Sequence, residues 1–150
     1  MFNTQGNSKV YKIIPLMVAA LILVSSISSV AAEDPKQTHI DGLTHVNCEQ
    51  GDVVTITAQL WITNYLWDNP LTGEDLYFYV YSGISDDNNI LFHRTTETSW
   101  PTGEASVQID TKNINPGNYT LLVHYDGGGD LFGYDGCSKE TTFTVRPKSN

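Results

Sequence analysis

The sequence predicts an all-β protein, and three observations lead to this prediction. Short runs that alternate between apolar and polar residues follow one another after Ala32, which is the pattern of half-buried strands. Clusters of Gly, Pro, Asn and Asp separate these runs at intervals typical of a sandwich or barrel. No stretch of this region has sustained helical periodicity. About seven strands at this spacing fit two packed antiparallel sheets whose inner faces supply the core.

The first 32 residues have the three parts of a secretory signal. Lys9 and Lys12 precede the apolar run IIPLMVAALILV, and small residues follow up to Ala32. A cut after Ala32 would start the mature chain at Glu33. The alternative is an uncleaved membrane anchor, because 13–32 is largely apolar and is about as long as the shortest helix that spans a bilayer. We therefore expect a secreted protein, or one held at the extracellular face of the membrane or cell wall.

The charge of the mature chain limits its partners. Residues 1–32 contain two of the eight basic residues and none of the 17 acidic residues, so their removal changes the net charge from −9 to −11. An acidic surface of this size disfavours nucleic acid and anionic lipid. Membrane contact is expected only through the N-terminal segment, if that segment is not cleaved. The remaining 118 residues correspond to one domain by length.

The predicted elements of this domain follow in order. A lead-in covers 33–43, the domain itself covers 44–150, and a first strand lies around His39 to Val46. A shorter edge strand is expected at ILFHRT, 90–95. The other five strands place alternate residues inward. These inward residues are Val54, Ile56, Ala58 and Leu60; Leu76, Phe78 and Val80; Ala105, Val107 and Ile109; Tyr119, Leu121, Val123 and Tyr125; and Phe143 and Val145.

Five segments carry a resemblance to a known family. GDVVTITAQL, PLTGEDLYFYV, TGEASVQI, INPGNYTLLVHYDG and TTFTV, in this order, resemble the Ig-like repeats of bacterial and archaeal cell-surface, adhesin-like proteins. The resemblance covers about Thr44 to Val145. It implies a Greek-key β-sandwich, export, surface display and a role in binding or spacing, without a particular ligand. The chain departs from the family because it holds one copy rather than a tandem array, and because two of its connections, 63–74 and 126–136, are long.

The segment INPGNYTLLV also looks like a tyrosine corner. Pro116 and Gly117 turn the chain, and Tyr119 opens the next strand. In such a corner the tyrosine hydroxyl bonds to the backbone a few residues upstream. We expect Tyr119 to make this bond.

The two long connections would share one end of an Ig-like domain. Aromatic rings there could stack on sugar rings, and carboxylates could bond hydroxyls or hold calcium. The aspartate spacing matches no calcium-binding motif, and we predict no metal or cofactor. The alternative is that Phe132 or Tyr134 folds back as a plug over the core, with the loop glycines supplying positive φ. The candidate ligand-binding residues are Trp67, Asp68, Asp130, Phe132, Tyr134 and Asp135.

A second candidate site is an outward face of the sheet. If Phe78 points inward, then Tyr77, Tyr79 and Tyr81 point outward, with His124 beside them. Such a row stabilises a sheet through cross-strand pairs, and tyrosine is also enriched at interfaces. These four residues form the candidate partner face.

The cysteines and one asparagine are further candidates. Cys48 and Cys137 are the only cysteines, and an exported chain would ordinarily join them. The family resemblance places them at opposite ends of the domain, roughly 26 Å apart. Either the long loop folds down the edge, or the bridge does not form. Asn118 begins the only Asn-x-Ser/Thr motif and could carry a glycan; the alternative is that it serves only as a turn residue.

No arrangement of residues in the sequence points to catalysis. There is neither a Gly-x-Ser-x-Gly elbow nor a His-Glu-x-x-His motif, and the four histidines lack the spacing of metal ligands. We predict a non-enzymatic, exported binding or adhesion-type module whose partner is a cell-surface protein or glycan. One alternative is a structural spacer or accessory subunit that associates through an edge strand. The other is a secreted carbohydrate-active or metal-dependent enzyme.

Overall fold

The computed structural model describes residues 35–63, 67–128 and 133–149. The predicted signal segment and the first two residues of the lead-in lie outside these ranges, as do Asp130 and Phe132. No helix within the three ranges is long and apolar enough to cross a membrane.

The described chain consists of strands joined by turns and two 3-10 turns, which confirms the prediction of an all-β protein. The 3-10 turns cover Asp87–Asn89 and Thr111–Asn113. The strands are β1 (Thr38–Asp41), β2 (Val46–Glu49), β3 (Val53–Ile62), β4 (Asn69–Pro70), β5 (Asp75–Tyr81), β6 (Ile90–Glu97), β7 (Glu104–Asp110), β8 (Gly117–Tyr125) and β9 (Cys137–Arg146).

The strands form two sheets. In the four-stranded sheet, β3 pairs antiparallel with β1, β7 and the two-residue β4. The five-stranded sheet has the order β2-β9-β8-β5-β6. Its strands are antiparallel, except that β2 runs parallel to β9.

The prediction of a single first strand around His39 to Val46 is wrong in one respect. Two strands, β1 and β2, take its place, and they lie in different sheets. Residues 38–41 pair with β3, and residues 46–49 pair with β9. The chain crosses between the sheets at 42–45, where Gly42 has a φ of +74°, a conformation that glycine adopts readily. The segment predicted as one strand therefore begins in the four-stranded sheet and ends in the five-stranded sheet.

One hydrophobic core lies between the two sheets. Alternate residues of β3 and β7 contribute from one side, and alternate residues of β5, β8 and β9 from the other. Phe78, Tyr125 and Phe143 are the largest fully buried side chains. Val54 and Tyr119 are half-buried and pack against the cluster. The predicted inward residues are therefore confirmed.

Thr111 is a buried polar side chain at the end of the domain where β2 turns into β3. Its side chain is fully buried, and its hydroxyl accepts a hydrogen bond from the Gly51 N–H at 3.0 Å. The same hydroxyl lies 3.0 Å from the carbonyl oxygen of Glu49 and 2.9 Å from that of Asp52, and donates toward them. A single side chain thus holds the 49–52 turn against the end of β7.

The hydrogen bond predicted for the tyrosine corner is present. The Tyr119 hydroxyl donates to the carbonyl oxygen of Asn115, across the turn that contains Pro116 and Gly117. The ring packs against the core, so the bond ties this turn to the start of β8.

The variant Tyr119→Phe tests this bond. We expect the free energy of unfolding to fall by about 0.5–1.5 kcal/mol, the net value of an ordinary hydrogen bond, because the ring keeps its packing. Urea denaturation measures the change. Tyr119→Leu also removes the ring and should cost more than Tyr119→Phe. Equal stability of Tyr119→Phe and the parent protein would show that the bond contributes nothing.

A candidate binding face on the five-stranded sheet

The outer face of the five-stranded sheet carries aromatic side chains where three strands lie side by side. Strand β5 lies between β6 and β8. Its residues Leu76, Phe78 and Val80 point into the core and are fully buried. Because side chains alternate along a strand, Tyr77 and Tyr79 point outward, and both are half-buried.

Five rings follow one another across this face. Tyr81 stacks on Tyr79 with centroids 5.7 Å apart, and Tyr79 stacks on His93 at 4.5 Å with an interplanar angle of 10°. His93 is also parallel to Tyr77 at 6.4 Å, and Tyr77 lies 6.4 Å from His124. We call these five residues the ring row. Sequence reasoning missed His93, which the cross-strand register places directly opposite Tyr79.

Asp126 ends the ring row on the side of β8. Its carboxylate lies 2.7 Å from Nε2 of His124. The pKa of Tyr77 is raised above its usual value, mainly by the negative charge of Asp126. Burial is the main cause that raises the pKa of Tyr79 and of Tyr81. The three phenols therefore remain protonated at neutral pH, and each can donate a hydrogen bond to a ligand or to a neighbouring group.

The prediction that Tyr81 belongs to an exposed partner face is wrong, because its side chain is only 5% exposed. The connection between β5 and β6 folds back over the sheet. The carbonyl of Gly83 in this connection accepts a hydrogen bond from the Thr120 hydroxyl at 2.9 Å, and the Ser85 hydroxyl donates to Glu140 at 2.7 Å. A register shift between Val80 and Tyr81 accompanies this change. The accessible part of the ring row is therefore Tyr77, Tyr79, His93 and His124.

A cavity of about 290 Å³ opens beside Tyr77 at one end of the ring row. Strand β8 ends there and β5 begins there. Asp75 stands directly opposite Glu97 across β5 and β6. The hydroxyl of the buried Tyr125 donates to Glu74 at 3.1 Å, and burial is the main cause that raises the pKa of this phenol. We call this cavity the acidic pocket; it is lined by Gly73, Glu74, Asp75, Tyr77, Glu97, Tyr125, Asp126 and Gly127.

The two long connections meet at the same end of the domain, through neighbouring residues of β1. Asp68 lies 3.7 Å from Nε2 of His39, and the Thr38 hydroxyl donates to the carbonyl oxygen of Asp135 at 2.6 Å. The predicted site residues Trp67, Asp68 and Asp135 are exposed, and 65% of Trp67 is accessible. We call this group the loop end. Asp130 and Phe132 belong to it in the sequence but lie outside the described residues.

Tyr134 packs against the core. This agrees with the alternative that Phe132 or Tyr134 folds back over the core as a plug. Backbone bonds hold it in place: the Tyr134 N–H donates to Gly128 at 2.6 Å, and the Gly128 N–H donates back to Tyr134 at 3.1 Å. The lead-in adds a β-bridge between Lys36 and Tyr134. The described parts of the long loop, 126–128 and 133–136, are therefore bonded to each other and to the lead-in, and the half-buried Tyr134 ring packs on the core.

Comparisons with known proteins assign no family to the chain. No family model matches it, and no curated protein matches it significantly. Among solved structures, it is similar to that of an uncharacterized protein from Bacillus anthracis str. Ames. The identity is 18% over 99% of this chain and 100% of that chain, with a TM-score of 0.35. At this TM-score the likeness carries no conclusion about function.

The two cysteines are free thiols, which corresponds to the second of the two alternatives for this pair, that no bridge forms. Cys48 pairs with Val145 near the last residue of β9, whereas Cys137 is the first residue of that strand. Eight residues along one strand separate the two positions by roughly 26 Å, far beyond the ~7 Å limit between Cα atoms of a disulfide. Burial raises the pKa of both thiols.

The glycosylation motif at Asn118 lies at the start of β8. The Asn118 side chain is exposed and accepts a hydrogen bond from the Thr144 hydroxyl at 2.9 Å. The hydroxyl of Thr120, the third residue of the motif, bonds to Gly83. Both polar groups of the motif therefore have partners within the domain.

No group of three or more His, Cys, Asp or Glu residues in the described ranges is arranged to hold a metal ion.

Proposed function

We propose that the protein is an exported binding module and that its ligand contacts the outer face of the five-stranded sheet. The ring row is the observation that carries this proposal. Four accessible rings in contact with one another give a continuous surface with apolar faces and polar edges, which can both stack and hydrogen-bond. Tyrosine and other aromatic residues are enriched at interfaces for this reason. The expected partner is a cell-surface protein or glycan.

The order of strand pairing supports an Ig-like Greek-key β-sandwich as the scaffold. Strands β5 and β6 lie together in the five-stranded sheet, β7 then crosses to the other sheet to pair with β3, and β8 returns to pair with β5. Greek-key sandwiches are connected in this way. The hydrogen bond of Tyr119 gives independent support, because a tyrosine corner is a hallmark of that fold.

Export is supported by the three-part pattern of residues 1–32. The excess of acidic over basic residues in the rest of the chain is consistent with a soluble domain outside the cell. Together with a scaffold that presents a rigid aromatic face, this favours a role in binding rather than catalysis.

The double variant Tyr77→Thr, Tyr79→Thr tests the proposed face. Threonine keeps a strong preference for strands, so the sheet should remain folded. We expect binding of the labelled protein to whole cells or to a cell-envelope fraction of its source organism to weaken at least tenfold. Tenfold corresponds to about 1.4 kcal/mol, and buried tyrosines at interfaces often contribute more than 1 kcal/mol each.

The matched control is Thr55→Ala, Gln108→Ala, a cross-strand pair on the outer face of the four-stranded sheet. This variant should bind as the parent protein does. Unchanged binding by a folded Tyr77→Thr, Tyr79→Thr protein would refute the proposed face.

The loop end is a second candidate, favoured by the exposed indole of Trp67 next to Asp68. Trp67→Ala separates the two candidates. If the loop end holds the ligand, this variant loses binding while Tyr77→Thr, Tyr79→Thr retains it.

A further inference from the structure

We infer that the partner presents lysine or arginine side chains to the ring row and the acidic pocket. This inference rests on the proposed function and adds to it the chemistry of the ligand: a cationic protein segment rather than a neutral glycan. Charge complementarity is the main argument, and the geometry around Tyr77 is the second.

The charges on this part of the face have one sign. The outward positions of β5 and β6 include Asp75 and Glu97, and Asp126 follows β8. β5 and β8 contain no lysine or arginine, and Arg94 of the edge strand β6 is exposed but stands opposite the inward residue Phe78 rather than in register with the ring row. Within the described ranges, Glu74, Asp75 and Glu97 form no salt bridge with a basic side chain. Asp126 is paired with His124, so the negative charge without an ion-pair partner at the acidic pocket comes from Glu74, Asp75 and Glu97.

Asp75 and Glu97 are a like-charge pair in direct cross-strand register. Like charges directly opposite each other destabilise a sheet, so this pair costs stability in the free protein. A cation placed between the two carboxylates would convert the repulsion into attraction. The pair thus marks a position on this face that favours a positive group.

Tyr77 connects the acidic pocket with the ring row, since it belongs to both. A cation above the face of a tyrosine ring, within about 6 Å of its centre, is attracted by the ring. A guanidinium group can also stack on such a ring while it forms paired hydrogen bonds with a carboxylate. One basic side chain can therefore contact Tyr77 and the pocket carboxylates together, and the next can lie along Tyr79 and His93.

Fluorescently labelled hexa-arginine and hexa-lysine peptides, titrated against the purified protein, test the inference. We expect saturable binding that weakens as NaCl is raised, because salt screens charge interactions between exposed groups. The double variant Asp75→Asn, Glu97→Gln should bind at least tenfold more weakly. Its melting temperature should stay the same or rise, because the like-charge repulsion is removed; a purely structural pair would instead lower it.

The matched control is Glu49→Gln, Glu104→Gln, which removes two negative charges from β2 and from the four-stranded sheet. Its affinity should change less than twofold. Equal losses in the two double variants would show that net charge alone attracts the peptides, and this would overturn the inference. A second result would also overturn the inference: the parent protein binds a neutral glycan at the ring row but binds neither peptide.

The experiments distinguish failure of this inference from failure of the proposed function. If neither peptide binds while envelope binding still depends on Tyr77 and Tyr79, the cationic class is wrong and the proposed face stands. If envelope binding survives Tyr77→Thr, Tyr79→Thr, the proposed face is wrong, and the inference about its ligand falls with it.

Discussion

Replacing Thr111 by valine is expected to lower the free energy of unfolding by about 1–3 kcal/mol. Valine has nearly the same shape, so the core keeps its packing and the loss comes from the hydroxyl. The Gly51 N–H then loses its acceptor. The carbonyls of Glu49 and Asp52 lose the hydroxyl as a donor, but each keeps a bond from a backbone N–H. Leaving one polar group without a partner at a part-buried position costs about 1–3 kcal/mol. Urea denaturation of the purified protein measures the loss.

Thr111→Ser is the matched control. Serine keeps the hydroxyl and removes one methyl group, which corresponds to about 1 kcal/mol of lost apolar burial. Valine should therefore be clearly more destabilising than serine. If the order is reversed, packing of the methyl group and not the hydrogen bonds makes Thr111 important.

Gly127→Ala should destabilise the domain by about 2–4 kcal/mol and displace the loop that carries Tyr134. Gly127 has a φ of +83°, and a Cβ there would lie 2.7 Å from both the Tyr134 carbonyl oxygen and the Gly136 nitrogen. The left-handed conformation costs a non-glycine residue roughly 1–2 kcal/mol, and overpacking adds typically 1–3 kcal/mol. Thermal denaturation measures the stability, and hydrogen exchange of the Tyr134 amide reports the loop.

The neighbouring residue supplies the control for this variant. Gly128 also has a positive φ, but a Cβ added there would meet nothing within 4 Å. Gly128→Ala should therefore show only the conformational cost, with Tyr134 still protected. Equal losses at the two glycines would mean that close packing of 127 against 134–136 contributes nothing.

The core could be predicted from the sequence because strand periodicity is local. Alternate residues of a strand share one face, so runs such as VTITAQL identify their inward side without knowledge of their neighbours. The Tyr119 corner was predictable for the same reason, since the hydroxyl and its acceptor are four residues apart.

The features that the sequence did not predict depend on contacts between distant residues. The division of the first strand depends on which strand each half pairs with, and only Gly42 marks the crossing locally. Tyr81 is buried because the 82–89 connection bonds to Thr120 and Glu140, which no local pattern specifies.

The candidate site shows the same limit. Alternation along β5 was enough to predict Tyr77 and Tyr79. His93 and Glu97 join the site only through the register between β5 and β6. A shift of that register by one residue would turn both side chains to the other face of the sheet. The ring row was therefore partly predictable, whereas the acidic pocket was not.

The parallel pairing of β2 with β9 also affects how the domain would respond to a pulling force. The described chain enters beside Lys36, which bonds to Gly133 at the loop end, and leaves at Ser149, which bonds to Glu49 at the opposite end. Tension on the two ends would drag β2 and β9 in opposite directions along their common axis. Their hydrogen bonds would then be loaded simultaneously in shear rather than opened one at a time. The β2–β9 pair should therefore resist tension along the strand axis better than a pair whose bonds open in sequence.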